Sequence, residues 1–331
     1  MYLKVIFSVF ACNYFPILAL DNGLALTPPM GWLTWQRFRC ITDCKKYPNE
    51  CISEALITRT ADIMVKEGYL QAGYNYVGID DCWLERERDK HGLLVPDKER
   101  FPNGMKAIAD YLHNKGMKFA LYEDYGNLTC AGYPGVLGHE EVDVETFANW
   151  DVDYIKLDGC YVETEKMDTG YPEFGKLMNK TGRPIVYSCS WPAYQKKPDY
   201  ASIAKHCNLW RNYDDIQDSW RSLTTIMNWF GDNQADFAHY AGPGRWNDPD
   251  MSHHEILHCI PRRVRAGRRR AGQQAQRRHQ RGAGGHHRRH PEPQHRPRNR
   301  RPARAATAGH PRQPQTRVRA HRRRTRRRRP V

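Results

Sequence analysis

Short apolar runs alternate with helical periodicity along most of this chain, and several of the runs stop on a carboxylate. Strand-like stretches fall at Met30–Leu33, Tyr74–Ile79, Lys118–Tyr122, Asp153–Leu157, Pro184–Ser188 and Asn208–Arg211, with a weaker one before Trp246. Between them, Ile57, Ala61, Met64 and Val65 share one helical face that ends at Gly68. Met105, Ile108 and Leu112 share a second, stopped by Lys115-Gly116. Asp218-Ser219 offers an N-cap for a third, with Trp220, Leu223, Met227 and Phe230 as its apolar stripe.

Strands that alternate with helices predict a parallel sheet, and seven such units predict a closed barrel more readily than an open sheet. No glycine-rich phosphate fingerprint follows the first strand, which argues against a dinucleotide-binding fold. The expected architecture is a (β/α)8 TIM barrel over residues 20–251 that lacks its last unit. Such barrels place their chemistry where strands end. Asp80-Asp81, Tyr122, Asp158, Ser190, Arg211 and Asp215 all lie there or just beyond.

Beyond Met251 the pattern breaks. The net charge of +15 suggests a basic protein, but the average hides two parts. Residues 252–331 hold 26 Arg, no Lys and only Glu255 and Glu292, a balance of +24, so residues 1–251 carry −9. With no aromatic residue and few large aliphatics, the tail is expected to be disordered. Arginine without lysine, beginning abruptly, resembles translation out of frame. A nonspecific polyanion binder acting through this tail, or an inactive truncated product, is the alternative to an enzyme; no specific nucleic-acid partner is expected. His254-Glu-Ile-Leu-His258 fits a zinc-protease pattern, yet Pro261 follows it and no third ligand is recognisable, so no metal site is assigned.

The other end is apolar from Val5 to Leu20 after Lys4, which predicts a signal peptide over residues 1–19 and no membrane span. Cys12 and Cys259 lie outside the barrel. Eight cysteines remain between Cys40 and Cys207, an even number that predicts disulfides in an oxidising compartment, with the pairing left open by spacing. The sequons at Asn127 and Asn179 fit glycosylation in that compartment.

Six ordered motifs carry a resemblance. Thr27-Pro-Pro-Met-Gly-Trp-Leu-Thr-Trp35, Ile79-Asp-Asp-Cys-Trp83, Lys156-Leu-Asp-Gly-Cys160, Ser188-Cys-Ser-Trp-Pro-Ala-Tyr194, Arg211-Asn-Tyr-Asp-Asp215 and Trp246-Asn-Asp-Pro-Asp-Met251 are similar to glycoside hydrolase family 27. That family comprises lysosomal α-galactosidases and α-N-acetylgalactosaminidases. The resemblance implies a retaining exo-glycosidase without cofactor, secreted or lysosomal, acting on terminal α-linked N-acetylgalactosamine or galactose of glycoconjugates, and a homodimer.

By the same resemblance Asp158 is the nucleophile and Asp215 the acid and base. Trp35, Asp80, Asp81, Tyr122, Lys156, Ser190, Ala193, Tyr194 and Arg211 would bind the sugar. Small Ser190 and Ala193 resemble the pocket that admits a 2-acetamido group. The implied disulfides join Cys40 to Cys82, Cys44 to Cys51, Cys130 to Cys160 and Cys189 to Cys207. Relatives continue past Met251 into an eighth barrel strand and a β-sandwich, neither recognisable here, and they usually carry a small residue where this chain has Glu123.

Overall fold

The computed structural model describes residue 20 and residues 22–250. The signal-peptide, Arg-rich-tail and His254–His258 expectations fall outside these residues. Seven parallel strands pair strictly in chain order: β1 (Gly31–Leu33), β2 (Tyr76–Ile79), β3 (Lys118–Asp124), β4 (Tyr154–Asp158), β5 (Val186–Cys189), β6 (Leu209–Arg211) and β7 (Trp246–Asp248). They form the greater part of a TIM barrel. Among the described residues no eighth strand joins β7 to β1.

Six helices separate the strands: α1 (Glu54–Lys66), α2 (Gly104–His113), α3 (Glu140–Asn149), α4 (Thr164–Lys180), α5 (Tyr200–His206) and α6 (Trp220–Phe237). α1 starts where Ser53, in extended conformation, caps Leu56 N with its hydroxyl, and Leu56, Ile57, Ala61 and Met64 then form its buried face. The Ser219 hydroxyl caps α6 through Ser222 N, as the sequence suggested.

The apolar stripe expected on α6 needs correction. Trp220 and Met227 are exposed, while Ile226 and Phe237 are buried, with Trp229 and Phe230 partly buried against the core. Trp229 instead stacks on Tyr213 and Phe237, so aromatic contacts set which side faces inward. Strand limits also move slightly. β2 begins at Tyr76 and not Tyr74, β5 begins at Val186, β7 begins at Trp246, and β3 runs on to Asp124.

Strand parity organises everything above this frame. Val77, Ile79, Phe119, Leu121, Ile155 and Leu157 belong to the large core between sheet and helices. Each such side chain taken out of water contributes on the order of 1.5–3 kcal/mol. The alternate residues Tyr76, Ala120, Tyr154, Val186 and Leu209 form a smaller apolar layer inside the curl, with Leu24, Ala25 and Trp246 packed against it. Following the inner parity upward from Tyr154 gives Lys156 and Asp158; following it from Ala120 gives Tyr122 and Asp124. The sheet interior is therefore apolar at one end and polar at the other.

All four implied disulfides form: Cys40–Cys82, Cys44–Cys51, Cys130–Cys160 and Cys189–Cys207. Two of them tie down the loops that carry the polar end of the sheet.

Candidate active site

The register of β3 and β4 sets Tyr122 opposite Lys156 and Asp124 opposite Asp158. Lys156 is buried, with its Nζ 2.7 Å from Asp80 Oδ2, 4.0 Å from Asp158 Oδ2 and 4.7 Å from the Tyr122 ring centre. Burial works against its charge, but Asp80, Asp158 and Asp215 outweigh that and raise its proton affinity. Lys156 is thus a fixed cation shared by three carboxylates.

Asp158 ends β4. Its Oδ1 accepts from the Tyr194 hydroxyl at 2.7 Å and from Gly159 N at 3.0 Å. Burial pushes its proton affinity up, yet Lys156, the Tyr194 hydroxyl and Arg211 together hold it below the usual carboxylate range. An ionised carboxylate at a strand end is the consequence. Burial and the Asp158 charge push the Tyr194 phenol up, so it stays a donor. A Cβ on Gly159 would come within 3.0 Å of the Tyr194 ring, so glycine there lets the phenol approach.

Asp215 lies four residues beyond β6, and its side chain is 52% exposed. Its Oδ1 accepts from Arg211 Nη2 at 3.0 Å. Arg211, buried at the end of β6, also donates to the Tyr213 and Asp214 carbonyls and pairs with Asp250 at 2.8 Å. Burial opposes its charge, but Asp250, Asp248, Asp215 and Asp158 raise its proton affinity. Asp158 and Asp215 therefore lie in the field of the same two cations, Lys156 and Arg211.

The adjacent acids after β2 are used differently. Asp80 accepts from Lys156 and from Asp81 N. Asp81 accepts from Cys82 N at 2.6 Å, Thr129 Oγ1 at 2.9 Å and Ala131 N at 2.8 Å, and so also pins the loop that follows β3. A carboxylate offers about four acceptor sites, so neither acid is saturated. Ser190 is buried beyond β5 with its N–H on the Leu157 carbonyl, whereas Ala193 is exposed in a 3-10 turn and Tyr194 is half-buried. Trp35 is partly buried beyond β1, with Arg39 4.9 Å above its ring. Asn127 and Asn179 are exposed in the β3 loop and at the end of α4.

Two acids that the sequence analysis left without a role belong to this cluster. Asp124 follows Tyr122 at the same parity, a signal hidden when the strand is ended at Tyr122. Asp250 lies in the Trp246–Met251 motif and is the second acid on Arg211; burial leads the causes that push it up to about 7. Among the described residues, two groups of side chains have metal-like composition, Asp124 with Cys130 and Cys160, and Asp110 with His113 and Asp151. The first has both sulfurs in a disulfide and offers no thiolate. The second is tied into ion pairs with Lys106, Arg183 and Asp153.

A model described as Alpha galactosidase A matches residues 27–254. The chain is 55% identical over 237 residues to the α-N-acetylgalactosaminidase of Gallus gallus, covering 70% of this chain and 58% of that protein. It is 51% identical to α-galactosidase A of Homo sapiens over 70% of this chain and 55% of that protein. The solved α-galactosidase of Saccharomyces cerevisiae superposes with a TM-score of 0.60 at 35% identity, over 70% of this chain and 54% of that one. The chain spans little more than half the length of these relatives. With seven parallel strands in order and paired carboxylates at their ends, the chain belongs to the alpha galactosidase A family.

Proposed function

We propose that this barrel carries the site of a retaining exo-glycosidase that removes terminal α-linked N-acetylgalactosamine, and α-galactose less efficiently, from glycoconjugates. The observation that supports this reading most is the pair of strand-end carboxylates, Asp158 and Asp215, held by Lys156 and Arg211 but in unlike surroundings. Cleaving a glycosidic bond with retention needs one carboxylate to attack the sugar carbon and a second group to protonate the leaving oxygen.

Asp158 attacks C1 from the face opposite the leaving group and forms a β-linked glycosyl ester, while Asp215 protonates the departing oxygen. Asp215 then takes a proton from water, which attacks C1 and frees Asp158, so the α configuration is regained. Lys156 and Arg211 offset the clustered negative charge, and with Asp80, Asp81 and Tyr122 they supply donors and acceptors for sugar hydroxyls. Trp35 and Tyr194 provide flat apolar surface against the ring. Small side chains at Ser190 and Ala193 leave volume for a 2-acetamido group, and a galactoside that lacks the group still enters.

Four disulfides support an oxidising, secretory compartment, and no described helix is long and apolar enough to cross a membrane. The lysosomal or secreted destination and the homodimer belong to the same proposal.

The test uses the full 331-residue chain with aryl α-N-acetylgalactosaminide and aryl α-galactoside at acidic pH. Hydrolysis is expected, faster on the acetamido sugar, with the α anomer appearing first by NMR. A folded chain that hydrolyses neither substrate overturns the reading, and a β anomer formed first overturns the retaining mechanism.

A further inference from the structure

Asp124 has no part in the mechanism above, yet it is fully buried at the end of β3, opposite Asp158 in the ladder. Its Oδ1 accepts from Gly126 N at 2.7 Å and its Oδ2 from Cys160 N at 3.0 Å, so one carboxyl group joins the turn after β3 to the turn after β4. The two turns touch directly as well. Tyr125 N donates to the Asp158 carbonyl at 2.9 Å, and a Cβ on Gly126 would fall 1.8 Å from the Cys160 carbonyl oxygen. Only glycine permits that approach. Cys130 Sγ, bonded to Cys160, lies 3.5 Å from Asp124 Oδ2 and 3.7 Å from Asp158 Oδ2.

We propose that Asp124 is a positioning residue for Asp158, fastening the Gly159-Cys160 turn behind the nucleophile so that its carboxylate faces the sugar at a fixed angle. The inference rests on the glycosidase reading for its consequence in turnover, but not for the clamp itself. Asp158 receives Gly159 N on its own Oδ1, so the orientation of that amide, and with it of the carboxylate, depends on where Cys160 is held. A displacement of about 1 Å at a reacting group costs up to about 100-fold in rate.

Charge points the same way. The groups facing Asp124 are the carboxyls of Asp158 and Asp81 and the phenols of Tyr122, Tyr171 and Tyr194. Burial, followed by the Asp158 charge, pushes Asp124 up to about 8, while Asp158 is held low. In acid the neighbouring pair therefore carries one negative charge, and it resides on the attacking group. Neighbouring acids whose proton affinities are pushed apart in this way take separate roles.

The experiment compares Asp124→Asn and Asp124→Ala with the unaltered full chain by hydrogen exchange and by steady-state kinetics. An amide side chain keeps one acceptor and alanine keeps none. The Gly126 and Cys160 amides are expected to exchange at least about tenfold faster in Asp124→Ala, with Ile155 in β4 unchanged. Unchanged protection at Cys160 overturns the inference whether or not the chain hydrolyses anything.

In turnover, kcat is expected to fall by about 10–100-fold, more in the alanine variant, while the inhibition constant of the released sugar moves by less than about threefold. A parallel loss of sugar binding, or full turnover in Asp124→Ala, overturns the positioning role. An Asp158→Ala variant that still turns over would overturn the glycosidase reading separately.

Discussion

Asp158 and Asp215 occupy the same end of one sheet, but the two corners that hold them are built differently. β3 and β4 share five residue pairs, and Asp158 ends that ladder among Lys156, the Tyr194 hydroxyl and Gly159 N. β5 and β6 share two pairs, and Asp215 stands four residues past β6, half exposed, on Arg211. The proposed roles account for the contrast. A nucleophile must present a fixed charge, which burial beside a cation and a dense hydrogen-bond set provides. A group that gives a proton to a leaving oxygen and later takes one from water benefits from access to solvent.

Under that division, removing each acid leaves a different signature. Asp158→Ala is expected to lower kcat by at least about 10,000-fold on every substrate, because the proposed mechanism routes every turnover through its ester. Asp215→Ala is expected to cost about 100–10,000-fold on substrates whose leaving group needs a proton, and far less on activated aryl glycosides. Steady-state rates across a leaving-group series read both. Equal losses for the two variants across the whole series would erase the distinction between the corners.

The turn Ser190–Tyr194 lies between them and touches Asp158 through Tyr194. Ala193→Leu adds bulk where the acetamido group would sit, so the ratio of kcat/KM for the acetamido sugar over galactose is expected to fall by about 10–200-fold. A ratio that stays constant would remove Ala193 from the specificity pocket.

Legibility in the sequence followed the same boundary. All seven strands were marked by runs of apolar residues, since strands covered on both faces carry little that is polar until they end. Carboxylates at those ends made Asp80, Asp158 and Asp215 visible, and the ordered motifs supplied the cysteine pairing. Three things were hidden for physical reasons. β3 continues through Glu123-Asp124, where two acids look like the end of a strand, so the pattern does not reveal Asp124 as a strand residue. Periodicity alone places Trp220 and Met227 on the apolar stripe of α6, but the stacking of Trp229 between Tyr213 and Phe237 turns them outward. The hydrogen bonds that tie Asp81 to Thr129 and Ala131 depend on a loop fold that no spacing encodes.

Glu123 carries the comparison to its smallest expected effect. It shares the parity of Phe119 and Leu121, so it faces the helices and not the site, and it is fully buried. Its Oε2 accepts from Asp124 N, while among the described residues its Oε1 has no partner. Nearby, Asp143 on α3 already holds Arg88 through two hydrogen bonds of 2.7 and 2.6 Å, and Arg88 also serves the Gly92 and Gly135 carbonyls. Burial, then the Asp143 charge, raises the Glu123 carboxyl well above its ordinary value.

The folded chain therefore keeps a proton there that the unfolded chain releases above about pH 4.3. Stability from this group is complete below that value and declines as pH rises towards the folded one, by up to about 1.4 kcal/mol per pH unit. Glu123→Gln removes the titration. Its denaturation midpoint is expected to match the unaltered chain near pH 4 and exceed it increasingly from pH 5 to pH 7, as read by urea unfolding. A difference independent of pH would mean that the packed corner tolerates a buried charge, and that the contrast with the open corner is one of access alone.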